Sequence, residues 1–346
     1  MRNRYLKRPL ALGTAILVLA SCNDEMTAPE APESVAPDAP ELATATATVN
    51  RWATKADMPS TERYSLTSAV VENSSGQSIF YAIGGTTGTS PGASLSKVQA
   101  YNAATNTWTY KASLPTPLYW TNGAGVINGK IYVSGGLSRY NGYEKGLYMY
   151  DPAKNTWTRK RDMPTTSFRG VTGVFNNKLY VVTQCDQENC DEFVNSALYS
   201  YDPTTDQWTT LTAPPGHFGW AQGGFIGGKF YVTGRENGKP SFLAYDPATD
   251  QWTRKTPLNR DRWLGSGVAV AGKLYVIGGM TTLDDGSNPV VRTVSVYDPA
   301  TDSWTNKAPL PNPRSNLTAS RVRVNGQQRI QLVGGPRPGN NLQYTP

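Results

Sequence analysis

Short apolar runs recur along residues 51–346, and most of them stop at a pair of glycines. Residues 79–83 precede Gly84-Gly85, 130–134 precede Gly135-Gly136, 274–277 precede Gly278-Gly279, and 330–333 precede Gly334-Gly335. Two runs end differently: 179–183 run into Gln184-Cys185 and 230–233 into Gly234-Arg235. These lengths, rich in Val, Ile and Tyr, predict strands. A second marker runs out of phase with the first. Tyr101 and Trp108 stand seven residues apart, as do Tyr150 and Trp157, Tyr201 and Trp208, Tyr245 and Trp252, and Tyr297 and Trp304. Each of these tyrosines is followed by Asp or Asn and then Pro or Ala, the chemistry of a tight turn. Trp52 stands alone at the start. Counted from Trp52, the tryptophans of this marker lie 44 to 56 residues apart, a period that suits a four-stranded antiparallel sheet with its turns.

One unit shows the plan. In 170–211, the first strand is 170–175, a turn at Asn176-Asn177-Lys178 leads to 179–183, and a longer loop leads to 196–201. The turn at 202–206 then delivers Trp208 on the fourth strand. Glycine concentrates in the first strand and at the end of the second. Innermost strands that crowd an axis need small residues, and large rings fill the widening space outward. Six copies of each marker give six radial blades. The last glycine pair has no tryptophan after it and Trp52 has no Tyr-Asp-Pro turn before it. The strand around Trp52 is therefore expected to complete the last blade and close the ring, removing two exposed edges.

The glycine pairs, the Tyr-Asp-Pro turns and the seven-spaced tryptophans resemble the kelch family across roughly residues 51–345. That resemblance implies an all-β, six-bladed β-propeller of four-stranded antiparallel blades, with structural Tyr and Trp.

The first fifty residues differ in kind. Arg2, Arg4, Lys7 and Arg8 precede an apolar stretch at 10–20, too short to span a membrane. It ends in Leu19-Ala20-Ser21-Cys22, which resembles a bacterial lipoprotein signal. The resemblance implies a signal peptide over 1–21, lipidation of Cys22, and anchoring to the cell envelope on the periplasmic side or the surface. Asn23 in place of Asp points to the outer membrane. Residues 22–50 carry six acids and no Lys or Arg, and read as a flexible tether. The whole chain is +7, whereas residues 51–346 hold +9. A basic domain outside the cytoplasm suits acidic glycans or acidic envelope proteins better than nucleic acid. Cys185 and Cys190, with four residues between them in a loop, are expected to form a local disulfide.

Catalytic chemistry is sparse. His217 is the one histidine, and no zinc-protease, hydrolase-elbow, phosphate-loop or dinucleotide motif is present. No cofactor and no metal are implied. Copper-radical oxidases with kelch-like blades need two histidines. Binding is expected instead on the face carrying the variable loops. The loops leading into the inner strands deliver Arg63, Trp120, Phe168, Arg169, His217, Trp220, Arg262, Trp263 and Arg314, and Arg235 ends a second strand. Trp120, Phe168 and Trp263 each stand twelve residues before a second-strand tyrosine, so equivalent projection is expected. Rings stack on sugar C–H faces and arginine pairs with carboxylate. The expected function is a non-catalytic module for a glycan or protein partner. The alternative comes from a likeness in plan to periplasmic sialic-acid mutarotases, with Glu236 as the acid–base group beside the arginines.

Overall fold

The computed structural model describes residues 49–346 apart from 60–62, 89–92, 185–195, 217, 237–238 and 336–340. Six four-stranded antiparallel sheets follow one another along the chain. Blade 1 comprises Thr67–Glu72, Ser78–Ile83, Val98–Asn102 and Thr107–Lys111, from the inside outward. The innermost and outermost strands of the next four blades are Ala124–Ile127 and Thr156–Lys160, Val171–Phe175 and Gln207–Leu211, Gly223–Ile226 and Gln251–Arg254, and Ser266–Val270 and Ser303–Lys307. Blade 6 joins the two ends of the chain. Its inner three strands are Leu317–Val324, Gln327–Gly334 and Leu342–Thr345, and its outer strand is Arg51–Thr54. Trp52 pairs with Tyr344 in that register. The propeller and its closure by the strand around Trp52 are thus as the repeat arithmetic implies.

The Tyr–Trp marker works through a third residue. Each tyrosine hydroxyl donates to an Asn or Asp oxygen, at 2.6–2.8 Å: Tyr101 to Asn106, Tyr150 to Asn155, Tyr201 to Asp206, Tyr245 to Asp250, Tyr297 to Asp302 and Tyr344 to Asn50. The same oxygen accepts a backbone N–H from the end of the preceding blade, at Ala56, Ala112, Arg161, Thr212, Thr256 and Ala308 respectively. The carbonyl of that backbone residue accepts the indole N–H of the tryptophan two positions after the Asx, at 2.8–3.0 Å. Every blade junction therefore carries the same three-bond clasp, with Tyr and Trp rings 5.0–5.2 Å apart. All six Asx residues have positive φ, which Asn and Asp tolerate better than other side chains. Each bond contributes about 1 kcal/mol.

The glycine pairs make a second set of junctions on the loop face. Gly85, Gly136 and Gly279 donate at 2.7 Å to Leu118, Ser167 and Arg314 of the next loop. At Gly84, φ is +64° and a Cβ would lie 2.4 Å from the Leu118 carbonyl oxygen, so only glycine fits.

Three expectations fall on residues outside those described: the signal over 1–21, lipidation at Cys22 with most of its tether, and the placement of His217. The disulfide is a correction. No disulfide bond is found among the described residues, and Cys22, Cys185 and Cys190 lie outside them. Four intervening residues permit a local bridge but do not impose the Cβ approach and dihedral that one requires.

Candidate functional site

Where each loop enters its innermost strand, one residue adopts a left-handed backbone. The six are Ser65, Trp120, Arg169, Trp220, Leu264 and Asn316, with φ between +49° and +59°. For side chains of this size the conformation costs on the order of 1–2 kcal/mol each. Backbone hydrogen bonds link them around the axis. Trp120 N–H donates to Ser65 (2.9 Å), Arg169 to Trp120 (2.8 Å), Asn316 to Leu264 (2.8 Å) and Ser65 to Asn316 (3.0 Å). The Trp220 carbonyl instead accepts Gln222 Nε2 at 2.8 Å. All six residues line the mouth of a central cavity of about 300 Å³. Deeper in, small hydroxyls join neighbouring inner strands, Ser68 of blade 1 bonding both Thr318 and Ser320 of blade 6.

Arg169 is the charged centre of this mouth. Its guanidinium carbon lies 3.4 Å from the Trp120 ring centroid and 3.3 Å from that of Trp220, with Phe168 at 5.0 Å. Cation–π contact of this kind stabilises a partly desolvated cation. Among the described residues the guanidinium has no hydrogen bond or ion pair, and its Nε is buried without a partner. Burial lowers its pKa to about 9, which leaves it charged at neutral pH. No Asp or Glu lines the central cavity among the described residues. The arrangement thus presents a sandwiched cation that can take an anion, with indole faces and small hydroxyls around it.

Other arginines of these loops lie outside the central cavity. Arg63 is buried and donates to the carbonyls of Gly84 (Nε, 3.1 Å) and Lys97 (3.0 Å) and to Gln99 Oε1 (2.7 Å). It ties its loop to blade 1, and burial lowers its pKa to about 10. Arg314 is likewise buried. Arg262 reaches the carbonyls of Gly278 (3.1 Å) and Thr293 (3.4 Å), while its Nε is buried without a partner. Arg235 faces Asp261 at 3.5 Å. Glu236 is held by both Nη atoms of Arg254 on the outer strand, with one bond at 2.8 Å, and that pairing lowers its pKa. It lines neither the central cavity nor a second one of about 370 Å³ between blades 4 and 5. That second cavity brings together Trp220, Arg235, Arg260, Asp261, Arg262 and Trp263.

The kelch-repeat signature extends beyond the strands to whole-family similarity. The KLHDC2/KLHL20/DRC7 Kelch-repeats domain matches residues 74–279, and the Kelch motif matches residues 265–311. The chain belongs to the kelch-repeat family. The solved structure of YjhT is similar to this kelch propeller, with a TM-score of 0.65 and 19% sequence identity over 83% of this chain and 94% of that one. At that identity the likeness concerns the fold.

Within the kelch propeller, the expected equivalence of Trp120, Phe168 and Trp263 is off by one residue. The positive-φ set aligns Trp120 with Arg169 and Leu264, whereas Tyr119 and Trp263 form matching bridges to Leu137 and Met280. Blade 2 has one extra residue before its inner strand, with Gly123 at φ +119°. Phe168 is buried beneath the mouth, against Tyr143 at 4.9 Å. Ser65 and Leu264 are mouth residues that no sequence motif marks. Their signal is positional: each stands two residues before its inner strand, and their side-chain types share nothing.

Proposed function

We propose that this kelch propeller is a binding module of the bacterial cell envelope, and that it takes a carboxylate-bearing sugar at the mouth of its central channel. Residues 22–50, with lipid on Cys22, tether it, and the loop face is turned to the ligand. One observation carries the reading: Arg169 is clamped between Trp120 and Trp220 without an anionic partner. A guanidinium so placed pairs with a carboxylate at little reorganisation cost. The neighbouring indoles supply apolar faces for a pyranose. The test is a sugar-acid and glycan array probed with the full-length protein. Saturable binding of acidic sugars, weakened at least tenfold by Arg169→Gln, is expected. No saturable binding, or binding that ignores Arg169→Gln, would overturn the reading.

The enzymatic alternative, anomerisation with Glu236 as the acid–base group, is supported by the shared plan of the fold. The ion pair with Arg254 and the lowered pKa of Glu236 speak against it, since that carboxylate is held ionised away from the mouth. Its measurement is exchange between sugar-acid anomers faster than solvent background, abolished in Glu236→Gln.

A further inference from the structure

Trp220 belongs to the walls of both cavities. Its ring packs on the Arg169 guanidinium in the mouth, and its edge meets Trp263, 5.6 Å away, in the cavity between blades 4 and 5. On either side of this partition stands an arginine whose buried Nε has no hydrogen-bond partner: Arg169 in the mouth and Arg262 in the side cavity. The two volumes, about 300 and 370 Å³, are alike and lie at the lower end of the range for small-ligand pockets. The side cavity is also lined by Arg235, 3.5 Å from the buried carboxylate of Asp261.

We infer that the site is double and that its ligand is an acidic oligosaccharide of at least two pyranose units, one in the mouth and the next beyond Trp220 in the side cavity. The inference rests on the carboxylate-sugar reading of Arg169 and extends it. The repetition of one chemistry, an indole wall with a guanidinium, on both sides of a shared tryptophan matches a ligand that repeats a ring and a carboxylate. An acidic peptide would be expected to use backbone pairing as well, and closure of blade 6 leaves the ring without the free gap such a strand would enter.

The experiment is titration of the full-length protein with galacturonic acid, its dimer and its trimer, followed by calorimetry and tryptophan fluorescence. The dimer is expected to bind at least tenfold tighter than the monomer, with little further gain for the trimer. The ratio of dimer to monomer affinity should fall towards one in Arg262→Gln. Because Arg262 also holds two carbonyls, the partly exposed Arg235→Gln serves as a second variant, with the same ratio expected to fall. If the monomer binds through Arg169 but the dimer binds no tighter, the second subsite is refuted and the mouth reading survives. If neither binds, both are overturned. Binding of an acidic peptide but not of the dimer would also overturn the inference.

Discussion

Replacing Asn50 by glycine removes one oxygen and nothing else that the closure needs. Asn50 Oδ1 accepts the Tyr344 hydroxyl and the Ala308 N–H, each at 2.8 Å. Its backbone N–H, donating to Thr345 at 2.7 Å, is untouched, and its φ of +58° suits glycine. Two bonds of about 1 kcal/mol each are lost, and the hydroxyl of the buried Tyr344 ring is left without its partner, giving a total of about 2 kcal/mol. For a unit of this size the melting temperature should fall by about 4 °C. Asn50→Ala adds the left-handed penalty of about 1 kcal/mol and should fall further. Asn50→Asp keeps the acceptor, as three other junctions do naturally, and should melt near the parent at neutral pH. Thermal denaturation of the four proteins by circular dichroism decides. If Asn50→Gly melts with the parent, or Asn50→Asp melts with Asn50→Gly, the clasp does not hold the ring closed.

Acid should loosen selected junctions. The Tyr201 hydroxyl and the Arg161 N–H lower the Asp206 pKa, and the Tyr297 hydroxyl foremost lowers that of Asp302. A depressed folded pKa contributes stability that is present above the ordinary carboxylate range, about 4, and is lost as pH falls through the folded value. Asn106 and Asn155 cannot titrate, so Asp206→Asn with Asp302→Asn should move the acid-unfolding midpoint to lower pH; an unmoved midpoint would count against this. Gly84→Ala should cost about 2–4 kcal/mol from its carbonyl clash and left-handed φ, while Gly76→Ala, at φ +70° with nothing within 4 Å, should cost about 1 kcal/mol, as read from denaturant midpoints. Arg63→Gln should destabilise by about 3 kcal/mol or more, because it strands buried carbonyls, without altering the array profile of the surviving folded protein.

The fold was legible because its markers are periodic and chemically loud. Trp and Tyr rings at fixed spacing, and glycines that no other residue can replace, announce both the blade and its junctions. The Asx of the clasp was present in every copy, two residues before each tryptophan, yet its double acceptor role is visible only when two blades meet. The candidate site was less legible. Arg63, Arg169 and Arg262 look alike in sequence, each on a loop before an inner strand. What separates them is one position: Arg169 occupies the left-handed residue and faces the axis, while Arg63 and Arg262 stand two before it and turn back to carbonyls. A single inserted residue at blade 2 was enough to slip that register. Glu236 looked free beside Arg235 because its partner, Arg254, is remote in sequence and near only through strand pairing.

The sixth clasp is the other five cut in two. Tyr344-Thr345-Pro346 stands where Tyr-Asp-Pro stands elsewhere, and Asn50-Arg51-Trp52 supplies the remainder of the motif, Asx, one residue, then Trp. The position of the break is therefore a matter of gene arrangement and not of architecture. A circular permutant that joins Pro346 to residue 49 through a single residue, which restores the four residues between Tyr and Asx, and opens instead at the exposed turn following Tyr201, would carry the same six junctions in rotated order. The ring has no first blade; its numbering is imposed only by where the ribosome starts.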